Sequence, residues 1–130
     1  CCVDRRALHA VTVGHSKPET AIEIFDQLEI RSGRVVAVEP FPEARKPAFK
    51  LTLDFGEPVG VLRSSAQLTH RYHVEDLLGT QILAVVNFPP RLVAGFKSEC
   101  LVLGVINPND PGDIVLVRPD YAGTPGWELG

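Results

Sequence analysis

The stretch VVNFPPRLVAGFKSECLVLG, residues 85–104, joins two apolar segments through a polar break. The first apolar run, residues 82–86, stops at Asn-Phe-Pro-Pro, and the second begins at Cys100. Short apolar runs that are bounded by Pro and Gly are typical of buried strands, so the stretch predicts strand, loop, strand. The loop carries the groups that a binding surface needs, on Asn87, Phe88, Arg91, Lys97 and Ser98.

The chain before this stretch contains three further strand patterns. Residues 49–55 alternate apolar and polar side chains, which indicates a half-buried strand. Gly-Glu-Pro at 56–58 predicts a turn, and residues 59–63 are expected to return as the next strand. Residues 30–38 are rich in Val and predict another strand, which we expect to bend or bulge at Gly33.

Two segments predict helices. Thr20 stands three residues before Glu23, which is the spacing of a capping box, so a short helix is expected over 21–27. Residues 64–78 predict a mainly helical segment, and Gly79 is suited to end it. Three apolar residues of the first helix are expected to face the core: Ile22, Phe25 and Leu28.

The chain after residue 98 predicts one strand over 99–105 and a short final strand over 114–117. Five central strands with a helix between the third and fourth predict an all-β fold with short helices, the five-stranded Greek-key barrel called the OB-fold. We expect this domain to span residues 20–118. Residues 1–19 are expected to form a flexible N-terminal extension, and residues 119–130 a C-terminal tail.

Composition sets limits on function. The chain has 130 residues, 45% of them hydrophobic and 22% charged, which fits one ordinary folded domain. Its apolar runs fall far short of the roughly 20 residues that cross a bilayer, so we expect no membrane span and a cytoplasmic location. The net charge of −3 means that nucleic-acid binding would need a local cationic patch.

Cysteine and histidine positions do not indicate a metal or cofactor site. Cys1 and Cys2 are adjacent, and their spacing from His9 and His15 matches no metal-binding motif. Cys100 lies in an apolar run and is expected to be a small buried hydrophobe. We expect no cofactor and no metal.

Catalysis would need Cys100 or Ser98 beside His70 or His73, the only candidates for a nucleophile and its base. Neither nucleophile stands in a Gly-x-Ser-x-Gly elbow, and no orienting carboxylate is found at a familiar spacing. The sequence therefore predicts a protein that is not an enzyme.

Five blocks of sequence stand out in order along the chain: LEIRSGRV (28–35), PEARKPAFKL (42–51), SSAQL (64–68), DLLG (76–79) and VVNFPPR (85–91). Together they resemble the CsaA family of export-related chaperones, within the wider tRNA-binding OB-fold group. The likeness covers about residues 21–118. It implies a homodimer without catalytic activity, with tRNA-binding ancestry, that holds unfolded or export-destined polypeptides.

The resemblance also carries over to single residues. Five positions match the RNA-binding pattern of the wider group: Arg31, Asn87, Arg91, Gly95 and Ser98. Three others depart from it, because strong tRNA binders usually carry Lys or Arg where this chain has Pro89, Leu92 and Ala94. Losing three cations removes about three phosphate contacts, and the more apolar groove that results suits an extended peptide better.

The residues predicted to bind tRNA or peptide are Arg31, Lys50, Ser64, Ser65, Gln67, Asn87, Phe88, Arg91 and Ser98. Other roles stay open: Phe88 fits a core as well as a stacking surface, and the Ser and Gln side chains fit helix caps. Two functions also stay open, a chaperone and a tRNA-binding module that uses the same face. A homodimer is expected because a small barrel leaves one face free and residues 114–117 are apolar.

Overall fold

A computed structural model of the chain describes residues 16–130. Within these residues it contains two short helices and nine strands. They are α1 (Ile22–Asp26), β1 (Ile30–Pro40), β2 (Phe49–Asp54), β3 (Val61–Ala66), α2 (Val74–Leu77), β4 (Gln81–Val85), β5 (Arg91–Val93), β6 (Phe96–Ser98), β7 (Leu101–Val102), β8 (Gly104–Asn107) and β9 (Asp110–Leu116). The predictions for residues 1–15, including those for Cys1 and Cys2, lie outside the described residues.

Five strands form one antiparallel sheet in the order β3-β2-β1-β4-β7. The sheet nearly closes on itself along a seam between β3 and the chain that leads into β7. There the Glu99 N–H donates to the Arg63 carbonyl at 2.7 Å, and Ser64 Oγ donates to the Cys100 carbonyl at 2.9 Å. Helix α2 lies between β3 and β4 in sequence, so the predicted OB-fold barrel is confirmed.

The core is formed by the inward side chains of the barrel strands together with Leu77 of α2. Leu51, Leu53 and Phe55 are fully buried, as the alternation over residues 49–55 predicts. Gly33 is needed for close packing, because a Cβ atom there would lie 2.6 Å from the Phe55 ring. Strand β1 pairs with β4 through its first half and with β2 through its second half, which lets one long strand serve both sides of the barrel.

The first helix differs from its prediction. It begins after Ala21, no side chain caps it, and the predicted capping box of Thr20 is wrong. The side chain of Ile22 is 68% exposed, so only Phe25 and Leu28 are partly buried as expected. A five-residue helix has too few turns to stabilise itself, and contacts from outside it decide where it lies.

The predicted helix over 64–78 is wrong in its first part. Ser64 and Ser65 lie in β3, where Ser64 pairs with Leu51 and faces the core. Helix α2 covers only the last turn, and Gly79 follows it with a positive φ of 84°, as predicted for the end of a helix. The sequence was misleading because two successive Ser residues favour caps and turns, and only the register with β2 places them in a strand.

Two hairpins were not predicted. Strands β5 and β6 pair across a two-residue turn in which Ala94 and Gly95 both have positive φ, 48° and 82°. This is the backbone of a tight hairpin turn, but it lacks the Asn-Gly signal that would identify it in sequence. The single strand expected over 99–105 is divided into β7 and the start of β8, and β8 forms a hairpin with β9.

The C-terminal tail pairs with the barrel through its backbone. Gly126 donates to the Ser32 carbonyl at 2.7 Å, Ser32 donates to the Trp127 carbonyl at 3.0 Å, and Leu129 donates to the Ile30 carbonyl at 2.8 Å. The tail thereby covers an edge of β1 that β2 leaves unpaired. Across residues 16–130, none of the helices has the length and apolar character needed to span a membrane.

Candidate ligand-binding groove

Two adjoining cavities of about 360 and 230 Å³ share Arg91 and Leu101 and form one open groove, called here the hairpin groove. One cavity runs from the end of β3 to the β8–β9 hairpin. The other lies between the Phe88-Pro89 segment and the end of β6. The lining residues used below are Ser65, Gln67, Phe88, Arg91, Ser98, Leu101 and Ile106.

Exposed apolar side chains dominate this groove. Phe88, in the loop between β4 and β5, is 43% exposed. Leu101 in β7 is 47% exposed and Ile106 in β8 is 59% exposed. Arg91 adds a positive charge where the two cavities meet, and Glu99 adds an acidic group to the lining of the smaller cavity. Within residues 16–130, Arg91 is not part of a recorded ion pair. A groove of this kind can bind an extended apolar chain and also contact an anionic group.

Polar residues at the seam hold the groove wall in place. The Ser65 N–H donates to Ser98 Oγ at 3.1 Å, which ties β3 to β6. The neighbouring Ser64 side chain is 1% exposed, and its hydroxyl is used by the Cys100 carbonyl. Arg91 lies directly opposite Ser98 in the β5–β6 pairing, so the seam also fixes the strand that carries this cation.

The β5–β6 hairpin also contributes to an aromatic-cation cluster, formed by Phe41, Lys50, Arg63 and Phe96. Lys50 Nζ lies 4.8 Å from the centre of the Phe41 ring and 5.3 Å from that of Phe96. The Arg63 guanidinium lies 4.8 Å from the Phe96 ring centre. Stacking on rings holds both cations in defined positions, where they can contact an anionic ligand. Glu39 is the acidic neighbour, 3.3 Å from Arg63.

Two of the predicted binding residues form intramolecular ties outside the groove. Arg31 Nε lies 2.6 Å from Glu29 Oε2, and its Nη1 donates to the Gly126 carbonyl of the tail at 2.8 Å. Asn87 accepts from the Glu29 N–H and donates to the Gln27 carbonyl, both at 2.9 Å. Asn87 therefore ties the end of α1 and the start of β1 to the end of β4, which supplies the outside contact that α1 needs.

The structure thus divides the predicted set. It brings Ser65, Gln67, Phe88, Arg91 and Ser98 together around the hairpin groove. Lys50 lies in the aromatic-cation cluster, Ser64 is buried at the seam, and Arg31 and Asn87 hold the tail and α1.

Sequence reasoning did not single out Leu101, Ile106 or Arg63. The available signal for the first two was an apolar run over 100–106 that is longer than a half-buried strand requires. Nothing local distinguishes Arg63 from the other cations, because its position depends on the pairing of β3 with β2 and on the hairpin that carries Phe96.

The chemistry of Cys100 argues against a nucleophile at this site. Burial raises the pKa of the Cys100 thiol to about 12, and the charge of Glu99 adds to the effect. The thiolate is therefore scarce at neutral pH. Among the described residues, the recorded contacts join neither His70 nor His73 to Cys100 or Ser98, and His70 Nδ1 lies instead 3.8 Å from Asp110.

A nearly closed OB-fold barrel with an open, mainly apolar groove defines a class of binding proteins. Residues 30–128 match the family model described as "Putative tRNA binding domain". The chain belongs to this tRNA-binding-domain family.

Solved structures of two chaperones are similar to this chain, which confirms the resemblance to the CsaA family. The CsaA chaperone of Bacillus anthracis str. Ames is 50% identical with a TM-score of 0.81, covering 87% of this chain and all of that one. The CsaA chaperone of Picrophilus torridus is 40% identical with a TM-score of 0.79, covering 86% of this chain and all of that one.

A curated relative is much longer. Methionine-tRNA ligase 1 of Sorangium cellulosum is 34% identical over 116 residues, which are 86% of this chain and 15% of the ligase. The chain thus spans about 15% of the length of the curated relatives that it matches.

Proposed function

We propose that this protein is a non-catalytic holding chaperone that binds unfolded or export-destined polypeptides in the hairpin groove. The observation that carries the proposal is the exposure of Phe88, Leu101 and Ile106 along a groove in an otherwise well-packed barrel. A contiguous apolar surface on a folded domain marks an interaction site more often than chance exposure. The similarity to two proteins named as chaperones supports it.

The groove suits weak and reversible capture. Burying one Leu or Phe side chain contributes about 1.5–3 kcal/mol, and ordering an unfolded chain offsets part of this gain. A polypeptide that buries only two or three apolar side chains in the groove is therefore bound weakly enough to be released. Arg91 adds a preference for segments in which an acidic or carbonyl-rich stretch adjoins an apolar one.

The test is suppression of aggregation of an unfolded client, together with direct binding of an apolar peptide, in two matched variants. Leu101→Asn removes a groove side chain that is 47% exposed, whereas Val36→Asn changes a strand residue that is 45% exposed and lies outside the groove. We expect Leu101→Asn to weaken peptide binding about tenfold or more and Val36→Asn to leave it unchanged. If both variants weaken peptide binding equally, the hairpin groove is not the peptide-binding site.

A second function, tRNA binding, is favoured by the aromatic-cation cluster and by the family. Lys50 and Arg63 are held on rings of the barrel's outer side, and Arg91 lies on the adjoining hairpin. Salt separates the two functions, because tRNA affinity should fall steeply between about 50 and 200 mM salt while capture of apolar peptide persists. We expect Arg63→Gln to weaken tRNA binding and to leave peptide binding unchanged.

We further propose that the protein is a cytoplasmic homodimer whose subunits meet at the β8–β9 hairpin. Val105 and Val115 lie directly opposite each other in this hairpin, and they are 61% and 38% exposed. A cross-strand pair of exposed β-branched residues forms a flat apolar face of the kind that a partner covers. The same hairpin lines the groove through Ile106, so dimerisation would hold one wall of the groove in place.

A further inference from the structure

The C-terminal tail forms a separate cavity of about 290 Å³ against β1 and β4. It shares no lining residue with the hairpin groove. The polar, charged and aromatic lining residues used below are Gln81, Arg118, Tyr121, Trp127 and Glu128.

Gln81 brings an unused hydrogen-bond acceptor to this cavity. The residue is 7% exposed, and its Nε2 donates to the Gly123 carbonyl. A carbonyl can only accept, so this bond fixes which end of the amide is Oε1. Oε1 is buried and has no hydrogen-bond partner within residues 16–130. A buried acceptor without a partner costs about 1–3 kcal/mol, which a ligand N–H group would recover.

Two aromatic residues, Trp127 and Tyr121, line the same cavity as Gln81. Trp127 is 66% exposed, and its six-membered ring packs on Gly123, where a Cβ atom would lie 2.7 Å from it. One face of the indole is therefore supported by the chain, and the ring remains largely open to solvent. Tyr121 is 85% exposed. Large exposed rings in one cavity with an unused acceptor match a flat heteroaromatic ligand that stacks and donates an N–H, which describes a nucleobase.

The charges around the cavity fit one nucleotide. Arg118 lines it, and its guanidinium lies 5.7 Å from the Tyr72 ring centre, a loose contact that a phosphate could replace. The acidic group at the rim is Glu128, which lies 3.8 Å from Arg31 Nη2, so its charge is partly balanced. Arg31 is in turn paired with Glu29 at 2.6 Å.

We propose that the tail cavity binds one unpaired nucleobase of an RNA ligand. The base stacks on Trp127, an exocyclic amine donates to Gln81 Oε1, and Arg118 meets the phosphate of the same nucleotide. This inference rests on the second proposed function, RNA binding. It assigns that function a contact outside the hairpin groove and outside the aromatic-cation cluster.

Trp127 is the single tryptophan of the chain, so its fluorescence reports this cavity directly. The probes are adenosine 5′-monophosphate and purine riboside 5′-monophosphate, which lacks the exocyclic amine and is otherwise matched. We expect saturable quenching by both, with binding of the adenosine nucleotide about fivefold tighter, the factor that one neutral hydrogen bond provides. Equal affinity for both, or absence of quenching, would overturn the assignment of Gln81.

Variants test the other two contacts while the reporter stays in place. Arg118→Gln should weaken binding of the nucleotide but not of free adenosine, because only the nucleotide carries the phosphate. Gln81→Leu should make the two nucleotides bind equally, and circular dichroism checks that the barrel remains folded, since Gln81 also holds Gly123. Phe88→Ala, on the hairpin groove, is the control and should not change quenching.

The outcomes separate this inference from the function on which it rests. If tRNA binds with a steep salt dependence but mononucleotides leave Trp127 emission unchanged, the tail cavity is wrong and RNA binding stands. If mononucleotides quench with the expected preference while tRNA does not bind, the cavity stands and the tRNA proposal fails. If Trp127 emission changes on dilution of the protein and not with nucleotide, a second copy of the chain covers the cavity and the inference is overturned.

Discussion

At the scale of single residues, Ala94 has a backbone conformation that alanine rarely adopts. Its φ of 48° lies in the left-handed region, which costs an L-residue other than Gly, Asn or Asp roughly 1–2 kcal/mol. The hairpin turn nevertheless needs this conformation, because a tight connection between β5 and β6 requires positive φ at both central positions. The twist of the two strands therefore imposes a conformation that alanine does not favour.

We expect Ala94→Asn to raise the free energy of unfolding by up to about 1 kcal/mol, since Asn tolerates the left-handed region and precedes Gly95 in the preferred turn. The urea midpoint measures the change, with an unaltered denaturant slope showing that the effect lies in stability. Ala94→Val is the opposite control and should lower the midpoint. A stabilising effect of Val would contradict the assigned turn.

At the scale of elements, an ion pair joins the segment before α2 to β9. Arg71 Nε and Nη2 lie 2.8 and 2.9 Å from the two carboxylate oxygens of Asp113. The hydrogen bond from Arg71, assisted by Asn107, lowers the pKa of the Asp113 carboxyl from 3.8 to about 2. A carboxyl whose pKa is lowered by folding stabilises the fold above its unfolded pKa, and this contribution is lost as pH falls through its folded pKa.

Asp113→Asn should therefore lower the free energy of unfolding at neutral pH. The difference from the unaltered protein should shrink as pH falls from about 4 to about 2, because Asp113 then becomes protonated in both states. Urea unfolding at a series of pH values measures it. Asp110→Asn is the control, since the ion-pair partner recorded for Asp110 within residues 16–130 is His70, at 3.8 Å, and not an arginine. A pH-independent difference for Asp113→Asn would exclude the ion pair as its cause.

The β5–β6 hairpin is the element at which ligand preference can be shifted. Leu92 is 73% exposed and lies opposite Lys97, so a new cation there would join an existing one on a surface that tolerates substitution. Leu92→Lys should strengthen tRNA binding and steepen its salt dependence by about one phosphate contact. Because Leu92 lines neither cavity of the hairpin groove, capture of apolar peptide should stay unchanged.

Val61→Lys is the matched control for this change, because Val61 is 58% exposed but lies on β3 and not on the β5–β6 hairpin. Binding of tRNA and peptide is measured at two salt concentrations for both variants. The same gain in tRNA affinity from either variant would show only a general charge effect. An unchanged salt slope for Leu92→Lys would mean that this hairpin does not face RNA.

At the scale of the whole molecule, the unpaired apolar face of the β8–β9 hairpin predicts self-association. Val105→Asp places a charge in the middle of that face and should convert a dimer into a monomer of 14.2 kDa. Light scattering during size-exclusion chromatography measures the mass. Val36→Asp, at an exposed position on another strand, is the control and should leave the mass unchanged. If the unaltered protein is already a monomer, the proposed homodimer is wrong.

The sequence by itself determined the barrel. The alternation over residues 49–55, the run of Val in β1 and Gly79 after α2 are local signals, because strand period and helix ends depend on neighbours along the chain. The CsaA resemblance identified the family for a related reason: its motifs are contiguous blocks. It also indicated Arg91 and Ser98, which lie on facing strands of one hairpin at the groove.

Only the tertiary structure decided which polar and apolar residues are available to a ligand. Ser64 and Asn87 look like binding residues in sequence. The closure of the barrel nevertheless uses the Ser64 hydroxyl, and the attachment of α1 uses the Asn87 amide. Leu101 and Ile106 look like core residues, yet the division of one apolar run between two sheets leaves them exposed. Exposure and hydrogen-bond partners depend on strand pairings between residues far apart in sequence, so no local pattern can fix them.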